Sequence, residues 1–268
     1  MNVCRTWNRY RTATVFAITE HLRNRLALIL ILGFVPLWIS LVHLVIADGD
    51  VTFLLRASGE HLTVNGNHIS QLSGAVNAVT LIVGFMMFIV TFRSVGFDQR
   101  LVLAGYPRGH LLAAKLTALI LAASAVCAYA TAVTAVYWTP ERPVVLWMAL
   151  CGAALAFGGI GIALGVALRG ELEGMFIVIM LSIIDMGLQN PVATPAADSD
   201  IVRYLPSYGS MQSGTAAGFV ENVPWSHMGL GPLWFVCAVV VAGTVLWMRT
   251  RDRRAPLAGM RGRVPYRV

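Results

Sequence analysis

The sequence predicts an all-α membrane protein of six transmembrane helices, and three observations lead there. The 268 residues are 57% hydrophobic and only 12% charged, with a mean hydropathy of +0.70; soluble domains carry about 25% charged residues. The apolar residues gather in runs of roughly 20, the length a helix needs to cross a hydrocarbon core. With both termini on the cytoplasmic side, seventeen of the twenty basic residues fall in inner segments, and only Arg56, Arg142 and Arg203 fall outside. That bias fixes orientation and supports an even number of crossings. It also accounts for the net charge of +7 without nucleic acid, because inward arginines meet anionic lipid headgroups.

Residues 1–25 are too polar for a signal peptide. Trp7, Tyr10, Thr14, Ala17, Ile18 and Leu22 share one helical side and Arg5, Arg9, Thr12, Glu20 and Arg23 the other, with Phe16 on the wrong side and Arg11 near the apolar edge. The pattern predicts an amphipathic helix along the inner leaflet, the alternative being a basic disordered tail. Residues 26–47 form the first span, with Pro36 inside it. The outer loop, 48–72, holds two alternating segments that allow a small hairpin. The second span is 73–92.

A charged insert follows, FDQRLVLAGYPR at 97–108. Its first half can make two helical turns, ended by Gly105 and Pro107. A helical knuckle on the cytoplasmic face suggests a mechanical contact with a soluble partner. The third span is 111–138, then a tight outer turn. The fourth, 144–168, carries Gly161 and Gly165 at GxxxG spacing, which either admits a close helix neighbour or reflects ordinary glycine enrichment. A minimal inner hairpin at 169–174 leads into the fifth span, 175–190. The outer segment 191–228 is too rich in Pro, Gly, Ser and Asp to cross, and short re-entrant helices buried in protein would suit it. The sixth span, 230–248, precedes an arginine-rich cytoplasmic tail, 249–268.

Several chemistries have no home. A P-loop needs GxxxxGK[ST], and the single lysine, Lys115, lies between Ala114 and Leu116. No HExxH or GxSxG motif occurs, the six histidines are scattered, and the four cysteines form no CxxC pair. No catalytic residue, metal site or cofactor is therefore expected in this chain. One ionisable residue falls deep in a span, Asp185. It either lines a translocation path with Met186 and Gln189, or hydrogen-bonds the outer segment in a structural role.

The insert FDQRLVLAGYPR resembles an acidic–basic, then Leu-rich, then Pro-containing stretch of the ABC-2 type transporter permeases. YLPSY at 204–208 is similar to the Tyr-Leu-Pro stretch before that family's outer helices. The order of interfacial helix, six spans, helical inner loop and long outer segment resembles the family too. The resemblance implies a multi-pass subunit of a bacterial plasma membrane exporter for drug-, antibiotic- or lipid-like cargo. It would pair with a second permease, a copy or a paralogue, and dock separate ATPase subunits that bind ATP and Mg. Residues 97–108 would be the coupling helix, with Asp98, Gln99, Arg100 and Arg108 as polar contacts and Phe97, Leu101 and Tyr106 filling the ATPase groove. Glu171 and Glu173, in the second inner loop, would make a smaller contact. An ion-coupled carrier and a membrane-embedded lipid-modifying enzyme are the competing expectations.

Overall fold

The computed structural model describes residues 2–23, 25–194, 197, 199–220 and 225–251. Helix α1 (Asn2–Arg23) is followed by α2 (Arg25–Val45) and an antiparallel hairpin of β1 (Asp50–Leu55) and β2 (Glu60–Asn65). Then come α3 (Gly66–Leu103), α4 (Arg108–Tyr137), α5 (Pro143–Ala167) and α6 (Glu171–Gln189). A 3-10 turn at Asp200–Tyr204, α7 (Tyr208–Phe219), α8 (Trp225–Met228) and α9 (Leu230–Arg251) complete the described chain. Apart from the hairpin the fold is helical. Five helices, α2, α3, α4, α5 and the α8–α9 run, are long and apolar enough to cross a membrane. Helix α6 is not among them; its 19 residues carry Glu171 and Glu173 in the first turn and Asp185 further on.

Helices α2 to α6 and α9 run alternately between two ends of the bundle. At one end, the hairpin end, Ala57 N–H donates to Gln212 of α7 at 3.1 Å. There Trp138 lies stacked between His68 and Phe219, with ring centroids 5.1 and 5.0 Å away. At the other, the elbow end, Arg93 of α3 meets Glu171 of α6 at 2.8 Å, and Arg249 of α9 donates to the Ala167 carbonyl at 2.5 Å. Arg56, Arg142 and Arg203 belong to the hairpin end, and the remaining described basic side chains to the elbow end. The charge pattern of the sequence is thus an axial polarity of the fold.

Helix α3 is the axis of the molecule. In its most apolar stretch 78% of residues are buried, against 11% for α2 and 17% for the α8–α9 run. Glycines bring α5 onto it: a Cβ at Gly165 would sit 2.9 Å from the Phe88 carbonyl, and Gly161 lies against the Gly84–Phe88 backbone. The GxxxG spacing therefore marks a close approach inside this chain, where only hydrogen at Cα fits.

Two boundaries differ from expectation. The second span begins at Gly66 and not Ser73, because its polar first turns are buried and bonded. Asn67 donates to the carbonyls of His43 (2.9 Å) and Ile46 (2.6 Å), and Gln71 reaches His43 Nδ1 at 3.1 Å. Polarity that reads as loop is here a buried hydrogen-bonded network between α2 and α3. The coupling segment is also no separate helix. Residues 93–103 continue α3 without a break, since a lone Gly96 costs a helix only about 1 kcal/mol. The whole helix, 38 residues, is about 57 Å long at 1.5 Å per residue. It stops at Gly105, whose φ of 92° is left-handed. Tyr106 N–H bonds the Leu101 carbonyl at 2.9 Å and Gly105 N–H the Val102 carbonyl at 3.1 Å, a Schellman end. Pro107 then starts the turn into α4.

The other expected boundaries shift by a few residues. The fifth helix starts at Glu171, with Glu171 and Glu173 complementing its N-terminal dipole. The outer hairpin forms with a one-to-one register from Asp50 opposite Asn65 to Leu55 opposite Glu60. Within 191–228, α7 is a short buried helix packed on α5. The expected tail beyond Arg251 lies outside the described residues.

Candidate functional site

Two polar sites stand out in an otherwise apolar bundle, one at each end. The elbow site is built where α3 turns into α4 and α1 crosses both. Lys115 Nζ lies 2.8 Å from Asp98 Oδ2, with both side chains about six-sevenths buried (14% and 13% exposed). Lys115 also donates to Ser94 Oγ, which itself donates to the Thr91 carbonyl at 3.1 Å. The chain's only lysine thus clamps the last turns of α3 to the first turns of α4. Helix α1 is tied on by Tyr106 Oη donating to the Arg9 carbonyl (2.5 Å) and by Tyr10 Oη with Thr117 Oγ1 (2.6 Å).

Between α1 and the elbow lies a cleft of about 900 Å³. Its apolar wall includes Phe16, Met87, Ile89, Val90 and Leu111, and its charged rim Glu20, Arg23, Arg25 and Arg93. His21 lines it, 9% exposed, and among the described residues its Nδ1 has no hydrogen-bond partner. Burial, with Lys115 adding to it, holds the His21 imidazole below its ordinary range. Partial burial raises the Glu20 carboxyl, Lys115 opposing and Asp98 assisting.

The sequence-predicted elbow residues divide in two. Asp98 is committed to Lys115, Tyr106 to Arg9, and Gln99 is buried at 6% exposure. Leu101 faces the cleft. Phe97 is 64% exposed, and Arg100 and Glu173 are also open. Arg108 is half-buried at the start of α4. Glu171, also half-buried, pairs with Arg93.

The second site joins α3, α6 and the outer segment. Asp185 is fully buried. Its Oδ2 accepts from Ser207 Oγ, and Gln189 Nε2 bonds Ser207 Oγ at 2.8 Å and the Asp185 carbonyl at 3.0 Å. Toward the bundle centre, Asn77 Nδ2 donates to the Ser182 carbonyl (3.1 Å), and Thr80 and Ser182 hydroxyls lie 2.8 Å apart. Asp185 Oδ1 and Gln189 Oε1 have no hydrogen-bond partner among the described residues. Nearby, a groove of about 410 Å³ opens between α2, α3 and α6. Met186, Asn77 and Trp38 line it, whereas Asp185 and Gln189 do not. Of the three residues expected on a path, only Met186 borders open space.

Sequence reasoning missed Lys115 as a clamp and passed over Glu20, His21 and Ser94. Lys115 being the sole lysine was visible; its partner seventeen residues upstream across a turn was not. Among the described residues no three His, Cys, Asp or Glu side chains gather as a metal site. Comparison with protein-family models and with curated proteins returns no match. Function therefore rests on the geometry of these two ends.

Proposed function

We propose that this chain is the membrane-spanning subunit of an ATP-driven exporter, powered by a separate ATPase that docks on the elbow. The observation that carries the reading is mechanical. The exposed elbow and the buried axis of the bundle are one continuous helix, α3, clamped to α4 through Asp98 and Lys115. A load applied at Phe97, Arg100 and the exposed Leu103 enters the core directly, and rigid rearrangement then opens the opposite end. In this reading α6 is a sixth crossing, because it runs between the same two ends as the five apolar helices. The basic elbow end faces the cytoplasm, with both termini there. Asp98, Gln99 and Tyr106 brace the contact from within; Phe97, Arg100, Arg108 and Glu173 meet the ATPase. The many exposed large apolar side chains of α2 and α9, such as Leu37 and Val240, face lipid or a second permease. ATP and Mg belong to the partner. The cargo is drug-, antibiotic- or lipid-like.

The test is co-purification of an ATPase with the chain from native membranes. Phe97→Ala with Arg100→Glu is expected to abolish capture or to uncouple hydrolysis from transport, while leaving the bundle folded. Capture and coupling both unchanged would overturn the reading. The unpartnered Asp185 Oδ1 supports one competitor, an ion-coupled carrier. Uptake driven by a proton gradient in vesicles free of ATP, and lost in Asp185→Asn, would favour that carrier instead.

A further inference from the structure

We propose that the cleft between α1 and the elbow is a binding site for an anionic membrane lipid. Its phosphate headgroup sits among Arg23, Arg25 and His21, and an acyl chain lies along Phe16, Ile89 and Val90. The inference rests on the membrane reading of the apolar helices and is independent of any ATPase.

Three observations carry it. The first is shape: about 900 Å³ is at the upper end of the roughly 300–1,000 Å³ that ligand pockets occupy. The cleft is amphipathic along its length, because Met87 to Val90 lie about one to three turns nearer the bundle centre on α3 than Ser94 and Asp98. That is the profile of a molecule with a polar head and an apolar tail.

The second is charge. The acids facing the cleft are Glu20 and Asp98, and the cations are Arg23, Arg25, Arg93 and Lys115. Asp98 is occupied by Lys115, and Arg93 is occupied by Glu171. Glu20 is the one acid left on the rim, exposed and outnumbered two to one by Arg23 and Arg25. What remains facing an incoming ligand is the pair Arg23 and Arg25, both exposed. Arginines beside an apolar surface select an amphiphile of net negative charge over a zwitterionic one.

The third is His21. A ring nitrogen on a side chain only 9% exposed, lining the cleft and without a hydrogen-bond partner among the described residues, is a donor or acceptor awaiting a ligand. Buried polar groups are otherwise almost always satisfied.

Native mass spectrometry of the full chain tests this, with equimolar dioleoylphosphatidylglycerol and dioleoylphosphatidylcholine in detergent. The wild type is expected to retain phosphatidylglycerol preferentially, and millimolar inorganic phosphate is expected not to displace it. Arg23→Ala with Arg25→Ala should lower that retention on the order of 30-fold, about fivefold per arginine. Arg108→Ala, on the elbow but outside the cleft, should leave it unchanged. Ala17→Trp, which fills the cleft, should exclude both lipids; if that variant elutes as aggregate, the arginine pair decides. Equal retention of the two lipids, or no loss in the double variant, overturns the proposal. So does displacement by inorganic phosphate, which would make the site one for a soluble anion. A loss in Arg108→Ala equal to that in the double variant would also overturn it, by showing nonspecific surface attraction.

Discussion

Asp98 and Asp185 are both carboxylates held inside an apolar bundle, and their surroundings are opposites. Asp98, at the elbow, faces a lysine delivered by the next helix and stands beside an open cleft. Asp185, near the hairpin end, faces a hydroxyl and an amide, does not line the neighbouring groove, and keeps one oxygen without a partner among the described residues. A charge answered by a charge can be kept near water and near a partner surface. A carboxyl answered by a hydroxyl pins α6 to the outer segment and can relax when that segment moves.

The largest expected effect comes from breaking the elbow pair. Lys115→Met leaves Asp98 buried without its cation and should cost about 3 kcal/mol, read as a lower midpoint of thermal unfolding in detergent. Adding Asp98→Leu to it should restore most of the loss, since an apolar pair of similar volume can replace a buried ion pair. If the single variant is as stable as wild type, the clamp has no structural weight. At the other end, Asp185→Asn keeps an acceptor for Ser207, so a change of no more than about 1 kcal/mol is expected. Asp185→Leu takes the carboxylate acceptor from buried Ser207 and should cost about 1–3 kcal/mol. Equal losses in the two variants would mean that charge, and not hydrogen bonding, holds this site.

The smallest effects are those of pH on the cleft, and they have opposite signs. The raised Glu20 makes the folded state bind the extra proton, so its contribution is present below 4.5 and is lost as pH rises through the folded value. The lowered His21 makes the folded state favour neutral imidazole, so its contribution is present above 6.5 and is lost as pH falls. Glu20→Gln should therefore flatten the acid side of the unfolding midpoint against pH and leave the loss below 6.5, whereas His21→Phe should do the reverse. Identical profiles in both variants would place the titrating group elsewhere.

The apolar helices were legible because run length is a one-dimensional signal, and Gly105 with Pro107 marked the turn into α4; that residues 97–103 continue α3 as one helix was not legible. The sites were legible only in part. Asp185 announced itself as a lone acid in an apolar run, yet its partner Ser207 lies in an irregular segment whose path no periodicity encodes. The buried start of α3 was hidden because Asn67 and Gln71 look like loop residues until His43, more than twenty positions earlier, is beside them. The cleft was hidden for a related reason. Only the crossing of α1 over the elbow puts His21 opposite Val90, and neither residue is unusual by itself.

Nothing in the 38 residues of α3 offers a joint. A bilayer core is about 30 Å thick, and this single element exceeds it by nearly a factor of two at about 57 Å. A strand hairpin is fixed to one extremity and a cleft to the other. Tilting such a beam at either extremity must swing the opposite one in the contrary sense, so in the proposed exporter, with α3 across the bilayer, events on the two sides would be geared together by length alone.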